Sequence, residues 1–193
     1  MTEKAVLGLF TEHNALLTGH FRLSSGLHSE KYLQCALVLQ YPNAAAKLSK
    51  ALAKKFSENK IDVVIGPALG GITLAYEVAR AFGVRGLFTE RQDGKMVLRR
   101  GFSIAKGEKV LVVEDVITTG GSTKEVIAVV KSLGGEVIGV GSIIDRSGQP
   151  IDFGAPFQSL AKVSVETFEE KNCPLCKNNI PVTKPGSRVI AGK

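Results

Sequence analysis

An α/β fold is predicted: a doubly wound, mostly parallel sheet with helices on both faces, plus a small N-terminal hood. Three observations predict it. Between Ile61 and Asp145 short β-branched strands alternate with amphipathic helical stretches, the pattern of βαβ units. The strands themselves, such as Ile61-Asp-Val-Val-Ile and Val110-Leu-Val-Val, are nearly continuous apolar runs, as expected where both sheet faces are covered. Residues 1–40 stand outside that alternation. The chain of 193 residues is 44% hydrophobic, enough for one sizeable core. We divide it into a hood over 1–40, a core over 41–170 and a Cys-containing tail over 171–193.

The elements follow in order. Ala5 to Thr11 reads as a short apolar helix, and two alternating apolar pieces around Ser24-Ser25-Gly26 read as a strand pair. From Pro42 to Lys60, Leu48, Leu52 and Phe56 recur at helical spacing with Lys and Ser on the other face. A strand over 61–65 ends in the tight turn Gly66-Pro67-Ala68-Leu69-Gly70-Gly71; a helix from Ile72 to Phe82 is stopped by Gly83. Val84 to Glu90 is the next strand. Residues 91–108 are polar, basic and glycine-containing, with a turn at Asp93-Gly94; so long a connection reads as a functional flap. A strand over 109–115, a helix over 122–133 ended by Gly134-Gly135, and a strand over 136–145 complete the series.

The chemistry concentrates at strand ends, where such sheets bind ligands. After Val110–Val113 come adjacent carboxylates, Glu114 and Asp115, then Val116, Ile117, Thr118, Thr119, Gly120, Gly121 and Ser122. Glycines let backbone N–H groups approach an anion, hydroxyls add donors, and a helix N-terminus adds its positive end. That set makes a cradle for a monophosphate, with the two carboxylates placed to hold the hydroxyls of the sugar carrying it. Neither a Walker loop nor a Gly-x-Gly-x-x-Gly fingerprint is present. The turn Gly66–Gly71 suits a diphosphate. Arg146, beside Asp145, can present a fork to a carboxylate or a planar ring. In the flap, Arg91, Lys95, Arg99, Arg100, Lys106 and Lys109 form a basic set able to close over a polyanionic leaving group.

Other features narrow the class. The formal charge of +7 comes from scattered basic residues without an aromatic nucleic-acid-binding pattern, so a small polyanion is expected rather than nucleic acid. No apolar run of membrane length and no secretory signal is evident, and three cysteines suit a reducing cytoplasm. Cys173-Pro-Leu-Cys176 has the spacing of half a zinc knuckle. It lacks a second such pair, and Cys35 and the histidines are remote, so zinc, redox pairing or neither stay open. His13, His20 and His28 are read as packing or surface residues, and no residue is assigned as a metal ligand.

The run from Val110 to Ser122 resembles the phosphoribosyl-diphosphate signature of type I phosphoribosyltransferases. Gly19-His-Phe-Arg-Leu-Ser-Ser-Gly-Leu-His-Ser-Glu-Lys-Tyr-Leu-Gln34 is similar to the substrate hood of the orotate enzymes, and Cys173 to Ser187 to the tail of one bacterial and archaeal branch of them. The resemblance spans about residues 5 to 188. It implies transfer of the phosphoribosyl group to orotate with Mg²⁺ as cofactor, and a homodimer without nucleic-acid or membrane partners. By position, Thr118 to Ser122 would take the 5′-phosphate, Glu114 and Asp115 the ribose hydroxyls, and Arg146 and Thr118 the orotate. Val116 and Ile117 complete the substrate-binding run, and Pro67 to Gly71 would take the diphosphate. Asp115, Glu114, Lys95 and Arg91 are the expected catalytic set. The flap row Glu90-Arg-Gln-Asp-Gly-Lys95 lacks the histidine of the best-studied members, and Ser24 stands where many carry lysine. The hood speaks against a purine-specific enzyme, and no added nucleic-acid-binding module points to a regulator.

Overall fold

In the computed structural model, residues 1–23 and 25–184 are described; Ser24 and the end of the tail, including Ser187, lie outside them. A six-stranded sheet runs in the order β5-β4-β3-β6-β7-β8, and β1 and β2 form a separate two-stranded sheet. The strands are β1 (Leu16–Arg22), β2 (His28–Leu33), β3 (Val63–Pro67), β4 (Arg85–Gln92), β5 (Lys95–Leu98), β6 (Lys109–Ile117), β7 (Glu136–Asp145) and β8 (Phe157–Lys162). The helices are α1 (Glu3–Glu12), α2 (Cys35–Leu39), α3 (Pro42–Lys54), α4 (Gly70–Phe82), α5 (Gly121–Ser132) and α6 (Pro174–Lys177). Every pairing in the large sheet is parallel except β4 with β5. The chain therefore has the mostly parallel α/β architecture predicted.

Strand alternation sorts the core into two layers. Val64, Leu111, Val113 and Ile143 point to one face, against Leu48, Leu52, Leu74 and Val78 of α3 and α4. Val63, Ile65, Val110 and Val112 point to the other, against Val126, Ile127 and Val130 of α5. The first layer extends into the N-terminal segment, since Val6 and Phe10 of α1 and Cys35 and Val38 of α2 are buried in it. Gly139 and Gly141 of β7 leave room for the ring of Phe56, whose atoms stand 2.6 and 3.2 Å from where a Cβ would be.

Several boundaries differ from expectation for identifiable reasons. Regular helix α3 stops at Lys54, and Phe56 packs from the following turn. β3 runs on to Pro67, and α4 starts at Gly70, two residues early. The expected flap loop is largely a hairpin: Asp93 and Gly94 take positive φ, and Gln92 pairs with Lys95, so β5 adds the antiparallel edge. β8 and α2 were not anticipated. β8 has the mixed run Phe-Gln-Ser-Leu-Ala-Lys, and α2 is only five residues long, too short for a periodic signal.

Candidate active site

At the carboxyl ends of β3, β6 and β7 the predicted chemistry converges. β6 carries Glu114 and Asp115 as its last-but-three and last-but-two residues, and α5 begins four residues after Ile117. Gly120 caps that helix in the left-handed conformation, φ +73°, where an added Cβ would meet the Phe153 ring at 2.8 Å. Any side chain there faces backbone strain and a clash together. Thr118, Thr119 and Gly121 are exposed on the turn, while Ile117 is buried and anchors it.

The two carboxylates are held differently. Glu114 accepts a hydrogen bond from the hydroxyl of Thr123, a fully buried residue in the first turn of α5. Thr123 is a supporting residue that sequence reasoning missed; its place one residue beyond the predicted cradle was the available signal. Burial pushes the Asp115 carboxyl above its ordinary value, offset in part by the N–H groups of Val116 and of Asp115 itself. Asp115 also lies against the β3–α4 turn: a methyl on Gly70 would stand 2.8 Å from both of its carboxylate oxygens. Only glycine allows that approach. The same turn contains a cis peptide between Ala68 and Leu69.

β7 ends at Asp145, whose Oδ1 accepts from the Ser147 N–H at 2.8 Å; the Arg146 N–H donates to the Ile117 carbonyl at 2.8 Å. These bonds lock the turn that carries the Arg146 guanidinium, whose Nε is buried without a hydrogen-bond partner among the described residues. Desolvation holds the Arg146 pKa below its usual range. Two residues of the hood share this neighbourhood. Burial and then Asp115 push the Tyr32 hydroxyl up, and the same two causes push the fully buried Cys35 thiol well up, while Arg146 opposes both. Tyr32 and Cys35 were not foreseen as neighbours of the strand ends, because they are far upstream in the chain and outside any local motif.

The flap residues are brought near α5 rather than into the cradle. Arg91 pairs with Glu125 of α5 at 2.6 Å and donates to the Gly94 carbonyl at 2.8 Å. Arg100 pairs with Glu90 at 2.9 Å. Lys95 is exposed and has no ion-pair partner among the described residues. A broad groove of about 640 Å³ lies at the opposite ends of the strands, beside Lys60, Asp62, Arg85 and Glu108. Four of its charged side chains pair with one another, Lys60 with Asp62 at 3.1 Å and Arg85 with Glu108 at 2.7 Å, and Lys106 also lines it.

The arrangement joins a hydroxyl- and glycine-bearing turn at a helix N-terminus, a desolvated carboxylate, a second glycine turn against it and a guanidinium whose Nε has no partner among the described residues. Comparisons with known proteins give the family. Residues 37–171 match the family described as "Phosphoribosyl transferase domain". The chain is 62% identical over 190 residues to an orotate phosphoribosyltransferase of Caldanaerobacter subterraneus, covering 98% of this chain and all of that protein. It is 53% identical over 174 residues to the one of Thermotoga maritima, covering 90% of this chain and 93% of that protein. Among solved structures, the orotate phosphoribosyltransferase of Aeropyrum pernix aligns with a TM-score of 0.67 at 26% identity, over 82% of this chain and 93% of that one. An adenine phosphoribosyltransferase of Thermoanaerobacter pseudethanolicus aligns at 0.59 and 22% identity, over 69% of this chain and 88% of that one; at that identity it shares the fold.

Proposed function

The chain belongs to the orotate phosphoribosyltransferases within the phosphoribosyl transferase domain family, and from that premise we propose how its residues carry the reaction. The enzyme transfers the phosphoribosyl group of 5-phosphoribosyl 1-diphosphate to orotate, giving orotidine 5′-monophosphate and diphosphate. The observation that carries the residue roles is that Asp115 stands against the Gly70 turn, while Asp115 and Arg146 both act on Tyr32 and Cys35 at the strand ends.

Thr118 to Ser122 hold the 5′-phosphate through the hydroxyls and N–H groups of the turn and the N-terminus of α5. Glu114 and Asp115 hold the ribose hydroxyls, and Val116 and Ile117 set the floor of the cradle. The Pro67–Gly71 turn receives the diphosphate. Arg146 meets the polar edge of orotate, a role supported by its buried, unpartnered Nε, and Tyr32 closes the hood side. As the C–O bond to diphosphate breaks, positive charge develops on the ribose ring beside Asp115 and Glu114, and negative charge on the leaving group. Orotate N1 attacks the opposite face and inverts the centre. Arg91 and Lys95 close over the departing diphosphate once Arg91 leaves Glu125.

The site fits Mg²⁺ by the chemistry of its donors, a desolvated carboxylate beside the turn that receives substrate phosphates. With Asp115 holding it, the ion would supply charge neutralisation for the diphosphate as it leaves. We further propose a cytoplasmic homodimer. The homodimer is supported by Tyr76, a large apolar side chain 65% exposed in the middle of α4.

Mixing the purified protein with orotate, phosphoribosyl diphosphate and Mg²⁺ tests the reading. Loss of orotate absorbance that needs all three components is expected; turnover of adenine or guanine instead would overturn it.

A further inference from the structure

Outside the active site, four side chains from opposite ends of the chain converge on one point. His20 of β1, His28 at the start of β2, and Cys173 and Cys176 of the tail place their ligand atoms within 4.8 Å of one another. His20, His28 and Cys173 are buried, at 3%, 2% and 0% exposure. We propose that these four residues form a closed, tetrahedral Zn²⁺ site that fastens the C-terminal segment to the β1–β2 hairpin.

The donor set and its geometry both point there. Two imidazoles and two thiols are the ligands of structural zinc, with bonds of about 2.0 Å to nitrogen and about 2.3 Å to sulfur, so tetrahedral edges span about 3.3–3.8 Å. His20 Nε2 stands 3.5 Å from Cys173 Sγ and 3.7 Å from Cys176 Sγ, and His28 Nδ1 stands 3.3 Å from Cys176 Sγ. The nitrogen–nitrogen edge is the short one, at 2.8 Å, and opens by about half an ångström to admit the ion. His20 is already oriented for the task. Its Nδ1 lies 2.7 Å from the Ile180 carbonyl; a carbonyl only accepts, so the proton sits on Nδ1 and the Nε2 lone pair faces the cluster. Such an outer hydrogen bond is what fixes the tautomer of a metal-bound histidine.

The rest of the molecule supplies the reason for a staple. The segment after β8 has little core of its own: neither the short turn at Glu170–Asn172 nor α6 buries a residue, and Ile180 and Val182 are 42% and 49% exposed. Among the described residues, its hold on the hairpin is two isolated bridges, His28 with Phe168 and Phe21 with Thr183, together with a few hydrogen bonds such as Ser29 Oγ to the Glu166 carbonyl. A hydrogen bond between the two imidazoles alone would leave both thiols with weak partners. A dication bound by two thiolates and two neutral imidazoles satisfies all four and is neutral overall, as a buried site requires.

The test is the metal content of the full-length protein, purified without chelator from zinc-supplemented culture, by elemental mass spectrometry. One zinc per chain is expected, retained by Cys35→Ala and lost in Cys176→Ser and His28→Gln. Because those two variants could lose the tail's structure for other reasons, the wild-type protein is also exchanged with Co²⁺. Thiolate-to-cobalt charge-transfer and tetrahedral d–d absorption bands are expected, and neither band in Cys176→Ser. Wild-type protein without stoichiometric metal, a Cys173–Cys176 disulfide found by thiol alkylation and mass, or zinc retained by Cys176→Ser would each overturn the site. Iron or copper at the same stoichiometry would overturn the choice of ion.

Discussion

Asp115 carries a conflict between stability and function. Its folded pKa is raised by burial, so its contribution to stability is fully present below the unfolded carboxylate value and is lost as pH rises through the folded value. Ionising this carboxylate therefore costs stability in the fold that presents it. Asp115→Asn should raise the thermal midpoint at pH 7 while reducing kcat by about 10²-fold or more; calorimetry and the orotate assay read the two effects. A midpoint that falls together with kcat would assign Asp115 a structural role. Arg146 makes the complementary case: Arg146→Lys keeps a cation but loses the planar fork. KM for orotate should rise about 10-fold or more while KM for phosphoribosyl diphosphate changes little, as expected where one bidentate contact is lost. Thr123 holds Glu114 from a fully buried position, so Thr123→Val should cost about 1–3 kcal/mol of stability by leaving a carboxylate oxygen short of its donor, read by urea unfolding.

At the scale of elements, the flap is a hairpin docked on α5 by Arg91 and Glu125, both partly exposed at 39% and 44%. A pair so exposed contributes about 0–1 kcal/mol, a hold weak enough to break on each turnover. Glu125→Gln should leave the thermal midpoint nearly unchanged and lower KM for phosphoribosyl diphosphate by up to about 5-fold, the effect of removing about 1 kcal/mol from the docked state. A KM raised as far as in Arg91→Ala would refute the proposed release of Arg91. The elements themselves were mostly legible. Apolar runs located β3, β6 and β7, and helical spacing located α3, α4 and α5, because each buries a periodic face against the sheet. The hairpin inside the flap was visible only as its Asp93-Gly94 turn. Short or mixed elements, α2 and β8, were not legible, since their type is decided by the sheet edge and helix they pack against.

For the whole molecule, the uncovered Tyr76 of α4 predicts that two chains meet there. Sedimentation of the wild-type protein should give a dimer, and Tyr76→Glu should shift it towards monomer; a wild-type monomer at micromolar concentration would remove the proposal. The strand–turn–helix unit from Glu114 to Ser122 was readable from sequence by itself, together with the α/β class and the place of Arg146 at a strand end. In these the chemistry lies within one strand–turn–helix unit or at a strand end, where local pattern and local geometry coincide. Only the tertiary structure decided that Tyr32 and Cys35 share the surroundings of Asp115 and Arg146, and that His20 and His28 meet Cys173 and Cys176. Those meetings depend on which face of a hairpin lies against a sheet and where a tail returns. Contacts made across most of the chain's length leave no periodic trace in the residues that make them.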